Sequence, residues 1–190
     1  MLDQKYVTFY ARSTKVPLNV AERDVVLTYV LKILSDGILP KLAFKGGTCL
    51  KKVYFGNTGR FSMDLDFTSC GITLEELKGK LRQLFDNKTV YGIDFNVVED
   101  HVTAATVAGD ESYIAVVKYA HGWNAGSEFE IEVSYREEPV LPLQDMLLFD
   151  EMYFKYCEFP RFSIRCLQKE ELLAEKIRAA LQRVRGRDLY

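Results

Sequence analysis

The residues of this chain best suited to chemistry lie in one segment, FKGGTCLKKVYFGNTGRFSMDLDF, residues 44–67. Near its end, polar and apolar residues alternate. Side chains of an extended strand alternate between faces, so Phe61, Met63, Leu65 and Phe67 share one face, and Ser62, Asp64 and Asp66 share the other. Asp64 and Asp66 are then about 7 Å apart at the backbone and closer at their tips. Two such carboxylates repel each other unless a proton or a cation intervenes. Mg²⁺ suits them, as a hard cation that takes carboxylate and phosphate oxygens. Two such ions about 3.5–4 Å apart activate an attacking hydroxyl and neutralise a leaving pyrophosphate. Upstream, Gly46-Gly47-Thr48 opens a helix. Glycines let a backbone approach phosphate, and the exposed N–H groups of a helix start favour an anion. Ser62, on the carboxylate face, is placed either to bond a phosphate oxygen or to serve as a neutral filler. The chemistry implied is metal-assisted phosphoryl or nucleotidyl transfer. Taken singly these signals are ordinary: most Gly-Gly pairs are only tight turns, Thr48 also suits a plain helix cap, and an isolated DxD is more often a wet strand face.

A site of this kind takes a third carboxylate from a neighbouring strand. Residues 128–136 alternate in the same way, with Phe129, Ile131, Val133 and Tyr135 on one face and Glu130, Glu132, Ser134 and Arg136 on the other. Glu132 is the candidate and Glu130 its competitor. The last strong helical pattern, QKEELLAEKIRAALQRVRG, has Leu173, Ile177, Ala180, Leu181 and Val184 as its expected buried stripe. Lys176 falls about 60° from the centre of that stripe at roughly 100° per residue. It stands at the border of core and solvent, where a lysine can reach a pocket; covering apolar area is the plainer alternative.

The elements that position these residues can be read in outline. Asn19 and Glu22 have capping-box spacing ahead of a helix that ends near Gly37. Residues 42–44 form a short buried strand candidate. After the glycines, a helix is expected to turn Leu50, Val53 and Tyr54 inward and Lys51 and Lys52 outward. Thr73 and Glu76 cap a helix over 74–85. Residues 93–99 and 113–120 read as strands, and His121 and Trp123 as a hairpin loop without chemistry. The economical architecture is α+β: a small mixed sheet, partly antiparallel, with flanking helices. Residues 1–166 make a core with an N-terminal helix, and 167–190 a C-terminal helix.

Composition sets the outer bounds. A chain of 190 residues with 48% hydrophobic residues can bury a real core. Its net charge of −2 argues against a generic nucleic-acid coat. Lys41, Lys45, Lys51, Lys52 and Arg60 nevertheless form a stretch without acids, and a second basic region closes the chain. Two basic regions flanking a carboxylate strand suit a polyanionic substrate. Cys49, Cys70, Cys157 and Cys166 lack zinc-ligand spacing and read as reduced thiols. The N-terminus is too polar for a signal peptide and no apolar run spans a bilayer, so a cytoplasmic protein without a membrane partner is expected.

FKGGTCLKKVY, RFSMDLDF and the closing LLAEKIRAALQRVRGRDLY resemble the AbiEii/AbiGii toxin family of nucleotidyltransferases, within the DNA polymerase β-like superfamily. The resemblance runs in order from Phe44 to the last residue. It implies a polymerase β-like nucleotidyltransferase fold, and transfer of NMP from an NTP with Mg²⁺. Gly46, Gly47 and Ser62 would handle the triphosphate and Asp64 and Asp66 the metal. Glu132 falls where the family commonly has an aspartate, Lys176 matches the family's helix lysine, and Asp188 the aspartate of its closing RD motif. Family members act as toxins held by an antitoxin, and some transfer nucleotides to tRNA 3′ ends. Two alternatives remain at this stage: a degenerate nucleotide- or RNA-binding module without catalysis, and an antibiotic-type transferase with a small-molecule acceptor.

Overall fold

In a computed structural model the chain is described over residues 2–39, 41–104, 111–136 and 138–182. Eight strands form one sheet: β1 (Leu42–Lys45), β2 (Leu65–Ser69), β3 (Lys88–Val90), β4 (Ile93–Ala104), β5 (Glu111–His121), β6 (Asn124–Ser134), β7 (Gln144–Leu147) and β8 (Ser163–Cys166). Their order is β3-β4-β5-β6-β2-β1-β8-β7. The pairs β2–β6 and β1–β8 are parallel and the others antiparallel. The mixed sheet is therefore as expected, but larger. Strands β3, β7 and β8 have three or four residues each and show no alternation long enough to read.

Alternation fixes which face of the sheet is apolar. Phe44, Leu65, Phe67, Tyr113, Ala115, Val117, Phe129, Ile131 and Val133 are all buried. The Phe44 and Phe67 rings, paired across β1 and β2, lie 5.3 Å apart. Helices α1 (Gln4–Thr14), α2 (Leu18–Gly37) and α4 (Leu74–Phe85) complete this core. α2 is apolar around most of its circumference, which suits a helix enclosed on all sides. Its start differs from the capping-box expectation: Pro17 is the N-cap, and Asn19 lies within the helix. Glu22 is instead buried, accepting from Tyr119 Oη, Asn124 Nδ2 and the His121 ring. α4 matches its expected span, with the Thr73 hydroxyl accepting from the Glu76 amide and Leu77, Leu81 and Phe85 buried. His121 closes β5, and the Gly122-Trp123 turn leads into β6.

Two helical expectations are corrected. α3 (Gly46–Cys49) continues as a π-helix over Leu50–Phe55. A π-helix bonds i to i+5 and turns less per residue than an α-helix, so the 3.6-residue spacing assigns the wrong sides. Lys51 and Lys52 point inward and are buried. Lys51 Nζ lies 3.1 Å from Glu151 and 3.5 Å from Asp24, and Lys52 Nζ lies 3.0 Å from Asp24. Lys52 also donates to Thr28 Oγ1 and Tyr153 Oη. Burial drives the Lys52 ammonium down to about 8, against the opposing pull of Asp24. These two lysines hold the core and are not substrate-facing.

The second correction concerns α5 (Lys169–Gln182). Leu173, Ile177 and Leu181, expected to be buried, are 58%, 54% and 76% exposed. The helix docks through another face: Leu172 is buried, Glu175 pairs with Lys45, and the Glu171 carboxylate accepts from the Val140 and Leu141 amides. The amphipathic pattern correctly marks an apolar stripe, but no described element of this chain covers it. Val184, the last member of the stripe, lies outside the described residues, as does the candidate site residue Asp188. Among the described residues no helix is long and apolar enough to cross a membrane.

Candidate active site

The carboxylates collect on the polar face of the sheet. Asp66 in β2 is registered with Glu132 in β6 on one side and with Lys45 in β1 on the other. Residues directly opposite in a sheet point to the same face, so Lys45, Asp66 and Glu132 form one row across three strands. Of the two candidates for the third carboxylate, Glu132 is opposite Asp66 and half-buried, and Glu130, two residues earlier in β6, is exposed. Asp64 lies just before β2, in a bend, and is exposed. The strand begins at Leu65, so the alternation of 61–67 continues in sequence beyond the strand itself.

The glycine turn abuts these groups. Gly46 has φ +76°, a left-handed conformation that disfavours side chains, and a Cβ there would stand 1.9 Å from Asp66 Oδ2. A Cβ on Gly47 would stand 2.5 Å from Ser62 Oγ. Gly46 is thus required by its left-handed backbone and by the Asp66 carboxylate, whereas Gly47 lies close to the Ser62 hydroxyl, a side-chain end that can turn aside. The Thr48 side chain is buried and its hydroxyl donates to the Asp64 carbonyl. That bond fixes the bend carrying Asp64 to the first turn of α3, and it leaves the Thr48 hydroxyl facing inward.

The electrostatics follow from crowding. Burial, followed by the negative charge of Glu132, pushes the Asp66 carboxyl up to about 6; Asp64 and Glu175 add to the rise and Lys45 opposes it. Lys45 Nζ is 3.2 Å from Glu175 Oε1 of α5. A cleft of about 140 Å³ opens between α5 and the polar face of the sheet, lined by Lys45, Ser112, Glu132, Ser134, Arg136, Glu175, Arg178 and Ala179. Lys176 is exposed on α5, while its neighbours Glu175 and Arg178 face this cleft. Among the described residues no three acidic, cysteine or histidine side chains are grouped so that they could hold a metal ion. Lys45, Ser112, Glu175 and Arg178 were not singled out as site residues by sequence. The usable signal was for Lys45 alone, because it directly precedes Gly46 and so ends a strand at the turn. Of the first basic stretch, Lys45 faces the site carboxylates, Lys41 pairs with Glu76 at the surface, and Lys51 and Lys52 turn into the core.

A mixed sheet with a carboxylate row beside a glycine turn is the arrangement of a nucleotidyltransferase. The structure is similar to that of MenT4, a nucleotidyltransferase toxin from Mycobacterium tuberculosis H37Rv, with a TM-score of 0.74 and 25% identity. That likeness covers 93% of this chain and 58% of the MenT4 chain, so this chain spans rather more than half the length of that structure. The family model described as nucleotidyl transferase AbiEii toxin, type IV toxin–antitoxin system, matches residues 32–190. The chain belongs to the AbiEii family, whose members are nucleotidyltransferase toxins. No curated protein matches it in sequence.

Proposed function

We propose that this protein is a Mg²⁺-dependent nucleotidyltransferase that moves NMP from an NTP to an acceptor hydroxyl, with a tRNA 3′ end as acceptor and a cognate antitoxin as its restraint. The observation that carries this reading is the contact between Gly46 and Asp66. The turn suited to a triphosphate and the carboxylate suited to a metal are built against each other, with no room for a methyl group between them.

Carboxylate oxygens are the donors that a hard divalent ion takes. Asp66 and Glu132 are neighbours on one face, and the charge of Glu132 raises the cost of ionising Asp66. A hard cation held by Asp64, Asp66 and Glu132 would relieve that repulsion, neutralise charge on the phosphates and make the attacking hydroxyl more acidic. The remaining steps belong to the chain. The N–H groups of the Gly46-Gly47 turn and the Ser62 hydroxyl hold the triphosphate. The acceptor oxygen bonds to the α-phosphorus, and the bond from that phosphorus to the bridging oxygen breaks. Pyrophosphate leaves with the electron pair, and the hydroxyl proton passes to the Asp66–Glu132 pair. Lys176 adds positive charge from the rim, and Asp188 completes the family set.

Labelled NTPs offered with RNA, protein and small-molecule pools test the proposal. Wild-type protein with Mg²⁺ should label RNA; chelator or Asp64→Ala should abolish labelling while thermal unfolding is unchanged. Labelling of small molecules alone would make the acceptor class wrong. Transfer by Asp64→Ala at the wild-type rate would overturn the site.

A further inference from the structure

We infer that Glu175 is a built-in stand-in for substrate phosphate: it occupies the Lys45 ammonium in the free protein and yields it to the triphosphate of an incoming NTP. The inference rests on the proposed transfer reaction and adds two residues to it, Lys45 as a substrate-binding cation and Glu175 as the group that withholds it.

Lys45 ends β1 directly before the Gly46-Gly47 turn, so its ammonium belongs to the same corner of the molecule as the phosphate-binding amides. Its register opposite Asp66 puts it on the polar face, and only 17% of its side chain is exposed. Around it lie Asp66, Glu132 and Glu175, and Arg136 and Arg178 also line the cleft. Among the described residues only Glu175 makes a close ion pair with the lysine, at 3.2 Å. Glu175 reaches in from α5, the helix that roofs the cleft, and not from the sheet. Once a divalent ion neutralises the sheet carboxylates, Glu175 is what remains to be exchanged. A phosphate oxygen offers the same charge and the same acceptor geometry as the carboxylate it displaces.

An independent feature marks the cleft as a ligand site. Ser112 lines it, is only 2% exposed, and its hydroxyl has no hydrogen-bond partner among the described residues. A buried hydroxyl without a partner is destabilising in the free protein. A phosphate entering between Lys45 and the cleft floor would supply an acceptor for it.

Calorimetric titration in Mg²⁺ with inorganic tripolyphosphate and with a non-hydrolysable NTP analogue tests the exchange. Glu175→Gln should bind both about three- to tenfold more tightly, as expected when a partly exposed ion pair no longer competes. Lys45→Met should bind both about tenfold or more weakly, and Lys45→Arg should restore most of the loss. The double variant should match Lys45→Met, because Glu175 then has no lysine to withhold. Additive effects in the double variant would reduce Glu175 to general repulsion and overturn the exchange. Unchanged binding by Lys45→Met, with wild-type protein binding normally, would refute the inference alone. An effect seen with a short oligoribonucleotide but not with tripolyphosphate would assign the lysine to RNA and refute it equally. Wild-type protein that binds neither triphosphate ligand would instead refute the transferase reading. Thermal unfolding of each variant separates lost binding from lost fold, and KM should move more than kcat.

Discussion

Replacing Gly46 by alanine tests the core of the site with one methyl group. Two costs follow from the structure. Gly46 has φ +76°, and an L-residue held there costs about 1–2 kcal/mol. The new Cβ would also stand 1.9 Å from Asp66 Oδ2 and 2.8 Å from Asp66 Cβ. The latter atom is fixed to the strand, so rotating the carboxylate away does not remove the conflict and the turn must part from β2. The expected loss of stability is about 1–3 kcal/mol, seen as a fall of about 2–4 °C in Tm per kcal/mol. The loss of transfer should be larger, about 100-fold or more, since misplacing a reacting group by about 1 Å costs that much. Gly47→Ala is the internal control. Its Cβ would meet only the Ser62 hydroxyl, 2.5 Å away, and Ser62 Cβ lies at a comfortable 3.5 Å. One rotation of Ser62 admits the methyl, so stability should change by less than about 1 kcal/mol. Its transfer defect should appear mainly in KM for NTP. Denaturant unfolding and single-turnover transfer measure the two quantities separately. If Gly46→Ala unfolds and transfers like wild type, or if Gly47→Ala is the more damaging of the two, the close-approach reasoning fails.

Three further outcomes are expected. Lys52→Ala should destabilise by about 3–5 kcal/mol in denaturant unfolding, because it strips a buried partner from Asp24; a surface lysine would give less than about 0.5 kcal/mol. In metal-free protein the folded state holds the Asp66 proton more tightly than the unfolded chain does, with a pKa of about 6 against 3.8. Its contribution to stability is therefore complete below about pH 4 and lost as pH rises through about 6. Asp66→Asn should flatten that slope and leave the metal-free protein about 1–3 kcal/mol more stable at pH 8, as measured by pH-dependent melts. Glu132→Gln should lower kcat by about 100-fold or more, whereas Glu130→Gln should stay within about threefold, and kinetics at saturating NTP decide between them.

The parts of the site that could be read from sequence are those whose signals are local. Period-two alternation placed Asp66 and Glu132 on polar strand faces, and the register of β2 on β6 then set them side by side. The family match over residues 32–190 bears out the AbiEii resemblance drawn from the GG, DxD and AEK segments. What could not be read depends on partners distant in the chain or on departures from ideal geometry. Lys51 and Lys52 were misplaced because the π-helix rotates them toward Asp24 and Glu151, and nothing in LKKVYF announces a π-turn. The exposed stripe of α5 shows a related limit: periodicity reports that Leu173 and Ile177 share a face, but not what lies against it. The Lys45–Glu175 pair spans 130 residues, and neither member is unusual by itself.

The sheet order has a consequence for synthesis. β1 is made early, yet it lies between β2 and β8, and β8 is made more than a hundred residues later. The carboxylate row needs β6, and the lysine's partner on α5 comes later still. A chain growing from its N-terminus therefore carries its glycine turn and both aspartates through residues 67–131 without the residue that completes the row. Strand pairings this distant form late and slowly. That ordering makes the proposed chemistry a property of the assembled sheet. Nascent chains and fragments cut before β6 would hold the Gly46-Gly47 turn and both aspartates but not the carboxylate row.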